Sequence, residues 1–335
     1  MRRLALAVFG LCFYSSYASA WWDEGHMRIA AMAWDQLTPA ARAEASRLVR
    51  MNPQYFSWMI AIPQPYDGSA RDLDRYAFIR AAVWADDIKE MKDYKDASTK
   101  DNAKTETAGR NIGYSDKLIH GYWHFKDIPY QRDGSVPPPA DPVDAATQIK
   151  AFTAALPKAA GMSDDIRSYD LVWLLHLIGD VHQPLHSTAL FTKEFTAKWK
   201  AQDKPDQGDR GGNEIMVTPA NGDPVNLHAY FDGMFGGYST VYGAIFDTFD
   251  KSGNPYLPPA DGTEAAITDP DVWVTESNKL AIDTAYAAPV LDANGNVVQQ
   301  AELTRQYETK ARNVSKLQIP LAAARLAHLL NEALK

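Results

Sequence analysis

Hydrophobic and polar positions alternate along most of this chain at helical rather than strand spacing. Over 26–37 ("HMRIAAMAWDQL") apolar residues recur at intervals of three and four, the repeat that lines one face of an α-helix. "TPAARAEASRLV" restarts the pattern, with Thr38 placed to cap and Pro39 in the first turn. Over 73–90, Leu73, Ala77, Ala81, Trp84 and Ile88 lie on or near one stripe and predict a single helix. "SDDIRSYDLVWLLHLIGD" (163–180) has a serine cap, acids in its first turn and a body apolar enough to predict a central helix. "LAAARLAHLLNEAL" (321–334) predicts a last amphipathic helix. Strand signals are short: "IMV" and "PVNL" flank Asn221-Gly222, "PVL" and "NVV" flank Asn294-Gly295, and each pair predicts a small hairpin. Two polar stretches, about 90–115 and 194–212, read as long loops of the kind that carry function or move. The expectation is an all-α, mainly helical fold with one or two small β-hairpins.

The first twenty residues do not fit that fold. Arg2 and Arg3, the short apolar run "LALAVFGLCFY" and the closing Ala18-Ser19-Ala20 form an export signal, too short to span a bilayer. Cleavage after Ala20 makes Trp21 the new N-terminus and removes Cys12, the only cysteine. The expected product is secreted or periplasmic, has no membrane anchor or disulfide, and forms one domain over 21–335, since no linker, repeat or low-complexity tract divides it.

Charge then changes the picture. The chain carries −8, and loss of Arg2 and Arg3 makes it more acidic still. That is the wrong sign for gripping a nucleic-acid backbone through many lysines and arginines. A phosphate substrate would need positive charge from elsewhere, and metal ions are one source.

Candidate ligands for such ions cluster in "HLIGDVHQPLH" (176–186), which holds three of the eight histidines. His176 and Asp180 are four apart, so on a helix they share a face. A buried carboxylate in so apolar a run needs a partner or a metal, although a histidine bonded to a helix carbonyl would also suit His176. Pro184 breaks the helix and could swing His186 toward the same pocket. His228 and Asp232 repeat the spacing behind Asn226, a good cap. Asp86 and His124 emerge from hydrophobic surroundings, and His26 lies close to the new terminus. The free α-amine of Trp21 would titrate near 8, so it can lose its proton to a metal and chelate together with its own carbonyl oxygen. Histidine, aspartate and amine donors without thiolate favour Zn²⁺, and there are enough of them for about three ions.

In chain order, "W-x4-H" from Trp21, "WAD", "WHF-x-D", "H-x3-D-x5-H", "GGN" and "NLH-x3-D" resemble the zinc-dependent S1/P1 nucleases, whose fold is related to that of bacterial zinc phospholipases C. The resemblance covers essentially all of 21–335 and implies a mainly helical fold around three zinc ions. It implies that Asp86, His124 and His176 hold one ion, Trp21 and His26 a second, with Asp180 bridging the two, and His186, His228 and Asp232 a third. It further implies that Lys89 neutralises a phosphate oxygen, that Phe125 stacks on a base, and that Asp127 and Asn213 contact the base edge. The implied activity is cleavage of RNA and single-stranded DNA to 5′-phosphate products, with 3′-nucleotidase activity on nucleotides and no obligate protein partner. A zinc phospholipase C is the alternative, disfavoured because that pattern has Glu where Asp232 stands, and a zinc-carrying protein without catalysis is a third possibility. His182 is expected in a supporting or surface position, His120 has no metal role, and His328 is structural or exposed.

Overall fold

The computed structural model describes residues 21–62, 70–95, 102–235, 240–246 and 257–335. The export signal read over 1–20 lies outside the described residues. Thirteen α-helices are described: α1 (Asp23–Gln36), α2 (Pro39–Val49), α3 (Tyr55–Ile60), α4 (Ala70–Ala81), α5 (Trp84–Glu90), α6 (Ala145–Ala155), α7 (Asp164–Asp180), α8 (Lys193–Ala201), α9 (Leu227–Asp232), α10 (Val241–Phe246), α11 (Gly262–Ala265), α12 (Pro270–Leu280) and α13 (Arg305–Ala333). Strands are short and few, so the fold is mainly α-helical, as expected. Among the described residues no helix is long and apolar enough to cross a membrane.

α7 is the axis of the structure. Ser163 caps it by accepting from Ile166 N, Asp164 and Asp165 sit in its first turn, and every residue from Arg167 to Asp180 is buried. A helix buried on all faces must be covered on all faces. Accordingly α1, α2, α5, α6 and α13 all pack on α7, and α1 also lies along α4, α10 and α13. Fully buried Trp84, Trp123 and Trp173 meet edge to face with centroids 5.0–6.0 Å apart. A second core, with Phe195, Trp199, Phe231, Tyr286 and Tyr307, lies beneath the small sheet.

Several local expectations need correction. The stripe over 73–90 is two helices, α4 and α5, separated at Ala82–Val83. No Gly or Pro marks that break, which releases the Ala82 carbonyl for another partner. The stretch 194–212 is not all loop: Thr192 caps α8, which buries Phe195 and Trp199, four residues apart, on one face. The last helix begins at Arg305, capped by Thr304, and runs through Pro320. Proline removes one helical hydrogen bond there, and burial of Gln318–Ala323 against α1 and α7 holds the helix together.

The hairpin at Asn221-Gly222 is present, with β3 (Met216–Thr218) antiparallel to β4 (Val225–Asn226), and β5 (Ala301–Glu302) adds a parallel edge. The second hairpin reduces to one bridge, Leu291 to Val297. Unforeseen in sequence is the parallel pair of β1 (Ile128–Gln131) and β2 (Thr188–Phe191). The ladder begins earlier, at Lys126 N to His186 O (2.9 Å), so the segments after His124 and around His186 are fastened side by side.

α2 is tied to the start of α7 by charge. Arg47 holds Glu44 at 2.8 Å and Asp164 at 2.7 Å, while buried Arg167 reaches both acids. The hydrogen bond from Arg47, then that from Arg167, pulls the Glu44 carboxyl down to about 2 against the opposing effect of burial. Its stabilising contribution is therefore complete above the unfolded value of 4.5 and vanishes as pH falls through about 2. We expect Glu44→Gln to lower the melting temperature most at neutral pH, with the deficit closing between pH 4.5 and 2. Melting curves of parent and variant across that range check it; a constant deficit would mean that the pair does not titrate.

Candidate metal centre

At the C-terminal end of α7, His176 and Asp180 project side by side, both fully buried. His176 Nδ1 lies 2.7 Å from the Ala82 carbonyl freed by the break between α4 and α5. A carbonyl oxygen only accepts, so Nδ1 carries the proton and Nε2 presents a bare lone pair. That Nε2 lies 3.2 Å from His124 Nδ1, 3.5 Å from Asp180 Oδ1 and 3.6 Å from Asp86 Oδ1. His124 ends a short 3₁₀ turn, Gly121–His124, and its Nδ1 is 3.0 Å from Asp180 Oδ2. α1 delivers His26, whose ring stacks on His176 at 3.8 Å and whose Nε2 is 3.3 Å from Asp180 Oδ1. The stacking demands glycine at 179, where a Cβ would come within 2.7 Å of His26 Nδ1.

A third group stands apart from these. Pro184–His186 form a 3₁₀ turn beyond α7 that aims His186 at α9, where Asn226 caps the helix carrying His228 and Asp232. His186 Nδ1 donates to the His124 carbonyl and His228 Nδ1 to the Gly211 carbonyl, both at 2.7 Å. Both Nε2 atoms are consequently bare, and they face each other at 3.0 Å. Asp232 Oδ2 is 3.5 Å from His228 Nε2. Gly211 is pressed so closely on the His186 turn that a Cβ would stand 2.4 Å from Leu185 O, and its φ of +60° suits glycine.

Among the described residues there are thus three sets, in each of which the donor atoms lie within 4.8 Å of one another: His26, His176 and Asp180; Asp86, His124 and His176; and His186, His228 and Asp232. Their electrostatics suit a cation. Burial pushes His26 and His228 down to about 4, and His124 and His186 well below their ordinary value. Burial likewise pushes Asp180 up to about 8 and Asp232 well above the carboxylate range. Burial opposes ionisation of Asp86 too, but Lys89 and the neighbouring histidines outweigh it and hold that carboxyl low. Two neutral imidazoles whose protons are committed elsewhere repel when their lone pairs meet at 3.0 Å. A cation shared between them removes the repulsion. Among buried side-chain atoms without a hydrogen-bond partner are His26 Nε2 and Asp180 Oδ1, which face each other in this centre, and Asp86 Oδ2. The donors fit divalent metal.

The other predicted residues are placed as follows. Lys89 Nζ is 2.6 Å from Asp86 Oδ1 with its side chain 6 % exposed, so it is no ordinary solvated lysine. Trp21 is fully buried against Phe235, and Trp22 N donates to the Asp232 carbonyl at 3.2 Å, which brings the start of the described chain to the third group. Phe125 follows His124 directly and is half-buried. Asp127, also half-buried, is pushed up to about 8 by burial and then by the charge of Asp209. Asn213 donates from Nδ2 to the Arg210 carbonyl at 2.7 Å, in the glycine-rich loop that carries Gly211.

His182 is not at the surface: it is fully buried and bonded to the Ile178 carbonyl and to Arg325. His120 binds Asp116 and Tyr122, and His328 is exposed. Sequence reasoning missed Gln183, whose amide bonds Asp232, and Asp209, which accepts from Leu190 N and Tyr286 Oη beneath the glycine-rich loop. Their adjacency to the "QPLH" and "GDRGGN" segments was the available signal.

Over 197 residues the chain is 27 % identical to Nuclease S1 of Aspergillus oryzae (strain ATCC 42149 / RIB 40), a region covering 55 % of this chain and 60 % of that protein. The S1/P1 nuclease family model matches residues 21–335. The chain belongs to the S1/P1 nuclease family.

Proposed function

We propose that residues 21–335 form one exported catalytic domain, released from the signal at 1–20, that cleaves RNA and single-stranded DNA to 5′-phosphate products and also acts as a 3′-nucleotidase. The observation that carries this reading is the convergence of five imidazoles and three carboxylates in three buried groups, with Lys89 among them. We assign three Zn²⁺ to these groups: Asp86, His124 and His176 for one, Trp21 and His26 for another, Asp180 shared between those two, and His186, His228 and Asp232 for the third. Asp180 supports the shared role because Oδ1 faces His26 and His176 while Oδ2 faces His124. Bound ions of this kind polarise phosphoryl oxygens and lower the pKa of a nearby water to about 7.

The chain's own residues do the rest. The Ala82, His124 and Gly211 carbonyls fix the His176, His186 and His228 rings with their lone pairs facing inward. Lys89 keeps Asp86 ionised and offers its remaining N–H groups to a non-bridging phosphate oxygen as a point charge. Phe125 gives an unpaired base a face to stack on, Asp127 and Asn213 meet the base edge, and the need for an unstacked base selects single strands.

Three measurements test this reading. On a defined single-stranded oligonucleotide, zinc-loaded protein should leave 5′-phosphate ends and lose activity to a chelator. Release of phosphocholine from lipid, with the oligonucleotide intact, would instead establish the phospholipase alternative. Asp180→Asn should lose two ions by elemental analysis and Asp232→Asn one; equal losses would contradict the shared carboxylate. Phe125→Ala removes a stack worth about 1–3 kcal/mol per base and should raise KM for the oligonucleotide at least several-fold. An unchanged KM would remove Phe125 from the base site.

A further inference from the structure

Gln183 is fully buried between two pieces of the third group. It is the cap of the Pro184–His186 turn, and its Oε1 accepts from Leu185 N at 2.6 Å. That backbone N–H fixes the amide orientation, because only the oxygen can accept. Nε2 must then point the other way, where it donates to Asp232 Oδ1 at 2.8 Å. One side chain therefore grips both the turn that carries His186 and the carboxylate at the end of α9. Its bond to Oδ1 leaves Oδ2 as the oxygen facing His228 Nε2.

We propose that Gln183 is the positioning residue of the third metal group, selecting the Asp232 oxygen that faces the ion and setting the distance from His186 to α9. The inference rests on the reading of His186, His228 and Asp232 as metal ligands. Without the amide, Oδ1 loses its donor, the carboxylate is free to rotate, and the turn loses the acceptor that caps Leu185 N. Proline at 184 has no N–H of its own, so Gln183 contributes the first capping bond of that turn.

The test is a zinc competition titration against a chelating dye, with anomalous scattering at the zinc edge to locate each ion. Gln183→Met keeps the length and removes both polar atoms; Gln183→Glu keeps the acceptor for Leu185 and sets carboxylate against carboxylate. Each should weaken one ion about 10- to 100-fold, the range for loss of an outer partner of a metal ligand, and leave the other two bound. His228→Ala is the control for the underlying reading and should abolish the same ion. If His228→Ala removes an ion while both Gln183 variants bind zinc as the parent does, the positioning role is wrong and the metal assignment stands. Should His228→Ala bind as many ions as the parent, the metal assignment itself fails. Loss of all ions together with the fold in both Gln183 variants would reduce the residue to a structural role and overturn the proposal.

Discussion

Everything in this structure answers to one constraint: eight titratable donors are buried where their ordinary protonation states are costly. Removed from water, the imidazoles are driven neutral and Asp180 and Asp232 toward their acid forms, while Lys89 and the neighbouring histidines hold Asp86 ionised. The proposed divalent ions would relieve the contact between the bare Nε2 atoms of His186 and His228, each of which has given its Nδ1 proton to a main-chain oxygen. The apolar shell of α7, with Trp123 and Trp173 beside His124, keeps the donors dry and strengthens their hold on such charge.

The scaffold is arranged to deliver carbonyls as much as side chains. The break at Ala82–Val83 costs the stripe over 73–90 its continuity and yields the acceptor for His176. The left-handed glycine at 211 yields the acceptor for His228 and brings the loop against Leu185. The His124 carbonyl serves His186, so one residue is a donor in one group and a support for another. The parallel pairing of β1 and β2, continuous with Lys126 N to His186 O, keeps that bond in register. Irregular backbone therefore gathers where the ligands are, and regular helix elsewhere.

This division explains what was legible in the sequence. His176 with Asp180 and His228 with Asp232 stand four apart on helices, and their apolar flanks announced that the polar groups were buried. The carbonyl partners have no side-chain signature, since any residue supplies a C=O, and Ala82 meets His176 across 94 positions. The helix break at 82 lies in "RAAVWA", where local propensity favours continuation; tertiary demand overrides it. α8 was hidden because two buried aromatics among lysines make a faint stripe, and the first half of α13 because Pro320 reads as a boundary when the helix simply bridges it. For His176 the two sequence readings were never rivals: bonding its Nδ1 to a helix-terminal carbonyl is what prepares its Nε2 for a metal.

The acidity of the chain then acquires a role. With a formal charge of −8, most of the surface repels a polyanion, and attraction is confined to the pocket where the proposed ions outweigh three aspartates and Lys89 adds its own charge. A strand gripped this way releases few counterions, because few of its phosphates touch cations at one time. On the proposed reading, binding would depend instead on one phosphate at the centre and one base on Phe125, so that affinity and chemistry would be concentrated at the same nucleotide. An enzyme holding its substrate along a basic groove would bind many phosphates that it never cuts. If the proposed ions are bound, burying their positive charge would tie recognition of the strand to the bond that is broken.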